Sequence, residues 1–197
     1  FKVVNDSLGH TFGDDVLQGI AARLTQLVGA SGVVARIGGD EFAVVLDGWN
    51  ADDAARFAVN LVAEVGRPMV VNDVEVIMRV SAGIACAPAA GESGELLLQA
   101  ADLALNHARV RGKGNIATYR ESLRDGAVRK LREANAVTTA ARIGAFHFDF
   151  QPVVALPSEV PLAMEALMRW NSGAELERPD AFIPVAESIG ELTSMLR

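Results

Sequence analysis

A glycine pair, Gly38-Gly39, stands between two runs rich in β-branched residues, Val33 to Ile37 and Phe42 to Leu46. Adjacent glycines take the positive φ that a tight hairpin turn demands, so the two runs read as antiparallel strands joined at a fixed point. The turn leads directly into two acids, Asp40 and Glu41. Neighbours in an extended strand point to opposite faces. One carboxylate could therefore bind a cation or a sugar hydroxyl while the other faces elsewhere. The glycines would let a ligand approach the backbone closely. A glycine turn carrying two solvated acids accounts for the same pattern.

Around the hairpin the spacing of apolar residues sets out the remaining elements. Val16, Leu17, Ile20, Ala21, Leu24, Leu27 and Val28 recur at helical intervals. Asp14 or Asp15 can serve the start of that helix, and glycines end it. Residues 50–68 read as a second helix, with Asp52 and Asp53 in its first turn and Gly66 and Pro68 as its stop. Val74, Val76, Met78, Val80, Ala82 and Ile84 alternate, which predicts one half-buried strand. Residues 93–115 read as a third helix ending at Gly112. The order helix, hairpin, helix, strand, helix predicts an α+β sandwich with a mostly antiparallel sheet.

The character changes after Tyr119. Residues 120–144 form a charged helical pattern with a narrow apolar stripe, suited to a connector. Residues 145–156 and 161–170 read as strands and 179–196 as a helix. That tail is too short to be expected to close a core of its own.

Half of the 197 residues are hydrophobic, enough for a sizeable core and against disorder. A net charge of −7 argues against a nucleic-acid surface as the main business. Cys86 is the single cysteine, which excludes a disulfide framework and a cysteine zinc site. No apolar run approaches the roughly 18 residues of a membrane span, and no signal-peptide layout opens the chain. A cytoplasmic setting is expected, with anchoring through upstream segments left open. The opening Phe-Lys-Val-Val-Asn-Asp reads as the middle of a longer chain.

Two further clusters could carry chemistry. Asn5, Asp6, His10 and Asp14, punctuated by Gly9 and Gly13, lie just ahead of the first amphipathic helix. An Asn and an Asp can together read a purine edge, but both are also turn and N-cap residues. Arg109, Arg111 and Lys113 crowd the end of the third helix, where its dipole favours cations. Arg109 and Lys113, four apart, would also suit a polyphosphate.

Taken in order, FKVVNDSLGHTFGDDVL, RIGGDEF and ADLALNHARVRGKGN resemble the GGDEF family of diguanylate cyclases. FDFQPVV, MEALMRW and FIPVAES resemble the opening of the EAL family of cyclic di-GMP phosphodiesterases. The resemblance implies a ferredoxin-like fold of the nucleotidyl-cyclase and polymerase-palm type over residues 1–119. A connecting helix over 120–144 and the opening strands and helix of a TIM-like barrel over 145–197 follow. It implies that Asn5 and Asp14 read the guanine of GTP, with His10 beside them, and that Gly38 and Gly39 admit the substrate. Asp40 would hold Mg2+ or Mn2+ and be, with Glu41, a candidate catalytic carboxylate; Arg109 and Lys113 would hold phosphates. The implied reaction is attack of a ribose 3′-hydroxyl on the α-phosphate of a second GTP, releasing pyrophosphate; made reciprocally by both GTP molecules, it yields cyclic di-GMP. Two domains must face each other for this, so a homodimer is implied.

Departures from the family pattern carry expectations of their own. The family places Lys and Arg where this chain has Arg109 and Lys113, and the two cations are not equivalent at bidentate sites. The family's other metal carboxylate lies ahead of the Phe-Lys pair, so its strand is expected to be missing and the sheet to have a central gap. Gly29 and Gly32 occupy the slots of an inhibitory Arg and Asp, so tight product feedback by that route is not expected. In the tail, Glu165 matches the first EAL metal ligand. An eight-unit barrel needs roughly 250 residues, so the tail is not expected to hydrolyse anything by itself. A GTP-binding regulatory module that tunes an attached phosphodiesterase is the alternative of a different class.

Overall fold

A computed structural model of the chain describes residues 1–171 and 176–196. The chain forms two compact units, Phe1–Arg124 and Asp125–Arg197. The architecture is mixed α/β, with small sheets rather than one continuous one.

The first unit opens with α1 (Lys2–Val28), interrupted at Gly9, whose φ of 83° and ψ of 164° leave the helical region. Helical backbone thus begins well before Asp14, where the periodicity placed it. Phe1 and Val4 pack with Phe12 against the core, and the amides of Val4 and Asn5 donate to the Phe1 carbonyl at 2.9 and 3.2 Å. Apolar anchoring outweighs the turn preference of Asn5 and Asp6, and the break falls on the glycine instead. Beyond it Val16, Leu17, Ile20, Leu24 and Val28 are buried, as the spacing predicts.

β1 (Gly32–Gly38) and β2 (Glu41–Leu46) form the expected hairpin. Val34 faces Val44, Arg36 faces Phe42 and Gly38 faces Glu41, with a register shift between Arg36 and Gly38 that leaves Ile37 as a bulge. α2 (Ala51–Val65) starts at Asn50, whose side chain accepts from the Asp53 amide. Its far end is held from α1: the Arg23 guanidinium donates to the carbonyls of Glu64, Val65, Arg67 and Pro68.

The single strand expected over residues 74–84 is divided. Asn72 and Asp73 both take positive φ, 45° and 62°, the signature of a two-residue hairpin turn. They join β3 (Met69–Val71) to β4 (Val74–Val76). β5 (Ala82–Ile84) lies instead beside β6 (Ile116–Thr118), in parallel. Parallel neighbours need a crossover, supplied by α3 (Gly94–Val110), which Ser93 caps by accepting from the Leu96 amide. The expected mostly antiparallel sheet therefore has a parallel pair. The core gathers Val16, Ile20 and Leu24 of α1, Val65 of α2, and Met69, Val76 and Met78.

The second unit comprises most of α4 (Glu121–Ile143), the antiparallel β7 (Phe146–Val154) and β8 (Pro161–Asn171), β9 (Leu176–Glu177) and α5 (Pro179–Ile189). Its small core is formed by Val137, Met168, Phe182, Ala186 and Met195, so the tail packs around a residue of the connecting helix rather than around itself alone. Three aromatic rings, Phe146, Trp170 and Phe182, meet pairwise at 5.3–5.9 Å and supply what the short chain lacks in bulk. Much of the β7–β8 hairpin stays apolar and exposed, Phe150, Leu162 and Met164 among it. No helix of the described residues is long and apolar enough to cross a membrane.

Candidate functional site

Three pieces of the first unit carry the polar side chains singled out from sequence: the start of α1, the β1–β2 turn and the end of α3. The turn is two residues long, Gly39 and Asp40, between the paired Gly38 and Glu41. Gly39 has φ 54°, and neither Gly38 nor Gly39 has any atom close to where a Cβ would stand. The tip is open to approach. Asp40 sits on it, exposed, with no ion pair or hydrogen bond among the described residues.

Glu41 is engaged. Its Oε1 accepts from Arg109 Nη2 at 3.1 Å, across from β2 to the last turn of α3. Both side chains are about half exposed, so the pair is worth at most about 1 kcal/mol. It nonetheless draws one candidate phosphate-binding cation to the turn that carries the candidate catalytic acids. Lys113 follows in the glycine loop after α3, between Gly112 (φ 113°) and Gly114 (φ 87°), exposed and without an ion pair among the described residues.

On α1, Asp14 and Asp15 are split by the helix. Asp15 accepts from the Asn72 side chain at 2.8 Å and secures the β3–β4 turn. Asp14 borders a cavity of about 380 Å³ between α1 and the β1–β2 hairpin, lined also by Gln18, Thr25, Val34, Arg36 and Phe42. Asn5 lies against the helix at Gly13, its Oδ1 buried with no hydrogen-bond partner. A buried acceptor left unpaired costs about 1–3 kcal/mol. His10 is exposed one residue after the Gly9 break.

Arg36 escaped the sequence reading. Its Nε and Nη2 both donate to the Gly39 carbonyl, at 3.0 and 2.8 Å, and it lines the cavity beside Asp14. Only an Arg two residues before the glycine pair hinted at it.

No group of three His, Cys, Asp or Glu side chains placed to hold a metal occurs among the described residues. A divalent cation at the tip would draw on Asp40 and on ligand oxygens. Mg2+ is commonly held by one or two carboxylates plus phosphates, so the donor set fits a metal that arrives with a nucleotide. Glu165 lies in the second unit on β8, exposed and opposite Gln151 of β7. Gly29 and Gly32 present no side chains, and a Cβ on Gly32 would stand 2.0 Å from the Val45 carbonyl oxygen.

Residues 1–115 match the family described as diguanylate cyclase, GGDEF domain, and residues 134–197 match the EAL domain. A bifunctional diguanylate cyclase/cyclic di-GMP phosphodiesterase of Pseudomonas aeruginosa, MucR, is 33% identical over 96% of this chain and 28% of its own length. The cyclic di-GMP phosphodiesterase NbdA of the same organism is 32% identical over 99% of this chain and 25% of its own. The chain spans about a quarter of the curated relatives it matches. Among solved structures, an EAL/GGDEF domain protein from M. capsulatus is similar with a TM-score of 0.57 at 38% identity, covering 60% of this chain and 77% of that one.

Proposed function

Since this chain belongs to the GGDEF family of diguanylate cyclase domains and runs on into part of an EAL domain, we propose that the protein containing it joins two GTP molecules into cyclic di-GMP. Cyclic di-GMP signalling is the setting of both families. The observation that supports synthesis is the unpaired Asp40 on an open glycine turn whose next residue, Glu41, holds Arg109.

In this reading the guanine edge is read by Asn5 and Asp14, with His10 near by. Gly38 and Gly39 let the triphosphate lie close to the backbone, and Arg109 and Lys113 balance its charge. Two such domains face each other, each presenting one GTP. As the 3′-hydroxyl of each attacks the α-phosphate of the other, two phosphodiester bonds form, two pyrophosphates leave, and Asp40 of each domain is the carboxylate at hand to accept the hydroxyl proton. Mg2+ or Mn2+, held by Asp40 with phosphate oxygens, would supply charge neutralisation. Glu165 would be a first metal ligand of the attached phosphodiesterase. The domains are proposed to divide as residues 1–119, 120–144 and 145–197, with cytoplasmic residence.

The test incubates the full-length protein with GTP and Mg2+, with calcium added to suppress any phosphodiesterase, and assays cyclic di-GMP by chromatography. Asp40→Asn is expected to lower the rate about a hundredfold or more with the circular dichroism spectrum unchanged. A second reading, a GTP-binding regulatory module, draws on Arg109 and Lys113 standing where the family places Lys and Arg, cations that are not equivalent at bidentate sites. A folded protein that binds GTP and makes no product would establish it instead.

A further inference from the structure

Arg36 spends two donors on a single carbonyl oxygen and has no acidic partner among the described residues. It is exposed, where an arginine ordinarily leaves its guanidinium to water and keeps its rotamer freedom, worth about 2 kcal/mol. Holding it still has to serve something, and the bonded atom says what. The Gly39 carbonyl belongs to the peptide between Gly39 and Asp40. Fixing that oxygen fixes the plane of the peptide, and with it the direction in which Asp40 leaves the turn.

The turn needs such a restraint. Two glycines and a bulge at Ile37 leave its tip free to swing about several dihedrals. A carboxylate carried on it would otherwise sample many orientations. Arg36 is also opposite Phe42 in the hairpin, and both line the cavity that Asp14 borders. One side chain therefore connects the wall of the cavity with the tip of the turn.

We propose that Arg36 is a positioning residue: by clamping the Gly39–Asp40 peptide it aims the Asp40 carboxylate at the metal-bound triphosphate of a nucleotide whose base end enters beside Asp14. The inference rests on the cyclase reading for its kinetic consequences and on the hairpin geometry alone for its mechanical ones. Lysine keeps the charge but cannot place two rigid donors on one oxygen, so it separates the clamp from simple electrostatics.

Arg36→Ala and Arg36→Lys are compared with the wild type in the full-length protein by three measurements. Amide hydrogen exchange over residues 38–42 is expected to quicken about tenfold in both variants, with protection in α1 and α2 unchanged. Mn2+ affinity in the presence of a non-hydrolysable GTP analogue, followed by electron paramagnetic resonance, is expected to fall about tenfold in both. The kcat for cyclic di-GMP is expected to fall tenfold to about a hundredfold while KM for GTP moves less than about threefold. Unchanged exchange at the tip, or full recovery of metal affinity in Arg36→Lys, would overturn the clamp. A wild type that makes no product would remove the cyclase reading alone, because exchange and metal affinity still decide the role of Arg36.

Discussion

Gly13 lies so close to Asn5 that an added Cβ would stand 1.9 Å from Asn5 Oδ1 and 3.2 Å from the Phe1 ring. The atom in the way is the end of a side chain, so it can be pushed aside, and that side chain is one of those proposed to read guanine. Gly13→Ala and Asn5→Ala should each lower GTP affinity about tenfold, with the two losses failing to add. Calorimetric titration of both single variants and the double variant checks this, and the melting temperature should move little. From sequence Gly13 looked like punctuation. Its contact with Asn5 exists only because the segment before Gly9 is itself helical, which polar composition concealed. The bond between Glu41 and Arg109 was equally hidden, since it joins residues 68 apart. The residue types at the site were legible through the resemblance, whereas the pairs they form were not.

Among the elements, α3 and β5 show how tightly the first unit is built. Ala100, Ala104 and Ala108 make a buried stripe of small side chains on α3, and β5 meets the helix at Gly83. A Cβ there would lie 2.1 Å from the Ala101 carbonyl oxygen and 2.3 Å from the Leu105 amide nitrogen. Backbone cannot swing away as a side chain can, so strand and helix would have to part. Gly83→Ala should cost about 2 kcal/mol or more and lower the melting temperature by roughly 5–10 °C, read by differential scanning calorimetry. The helices were legible because apolar period and stop signals agree, as at Gly66 and Pro68 after the second. The strands β3 and β6 were not, because three residues contain too little alternation to register. The run from Val74 to Ile84 misled for the opposite reason: its alternation is continuous, while the backbone between β4 and β5 is not a strand.

For the molecule as a whole, regulation and assembly follow from what the backbone leaves room for. Gly32 presses against the Val45 carbonyl and Gly29 takes φ 53° at the end of α1, so neither supplies a side chain to grip a product. In the full-length protein, cyclic di-GMP added at the start of the reaction should not inhibit tightly through this route, measured as the initial rate of pyrophosphate release. A Gly32→Asp variant should lose stability rather than gain feedback, because its Cβ collides with the partner strand. The hold of Arg23 on the end of α2 bears on the order of events in folding. Its four carbonyl partners lie 41 to 45 residues further along the chain, so a loop including the whole β1–β2 hairpin must close before that end is capped. On a ribosome, α1 is complete long before the carbonyls it will secure have been made. Until they emerge, the nascent hairpin stands between a finished helix and an unfinished one, and the arginine waits for the residues that will join the two helices.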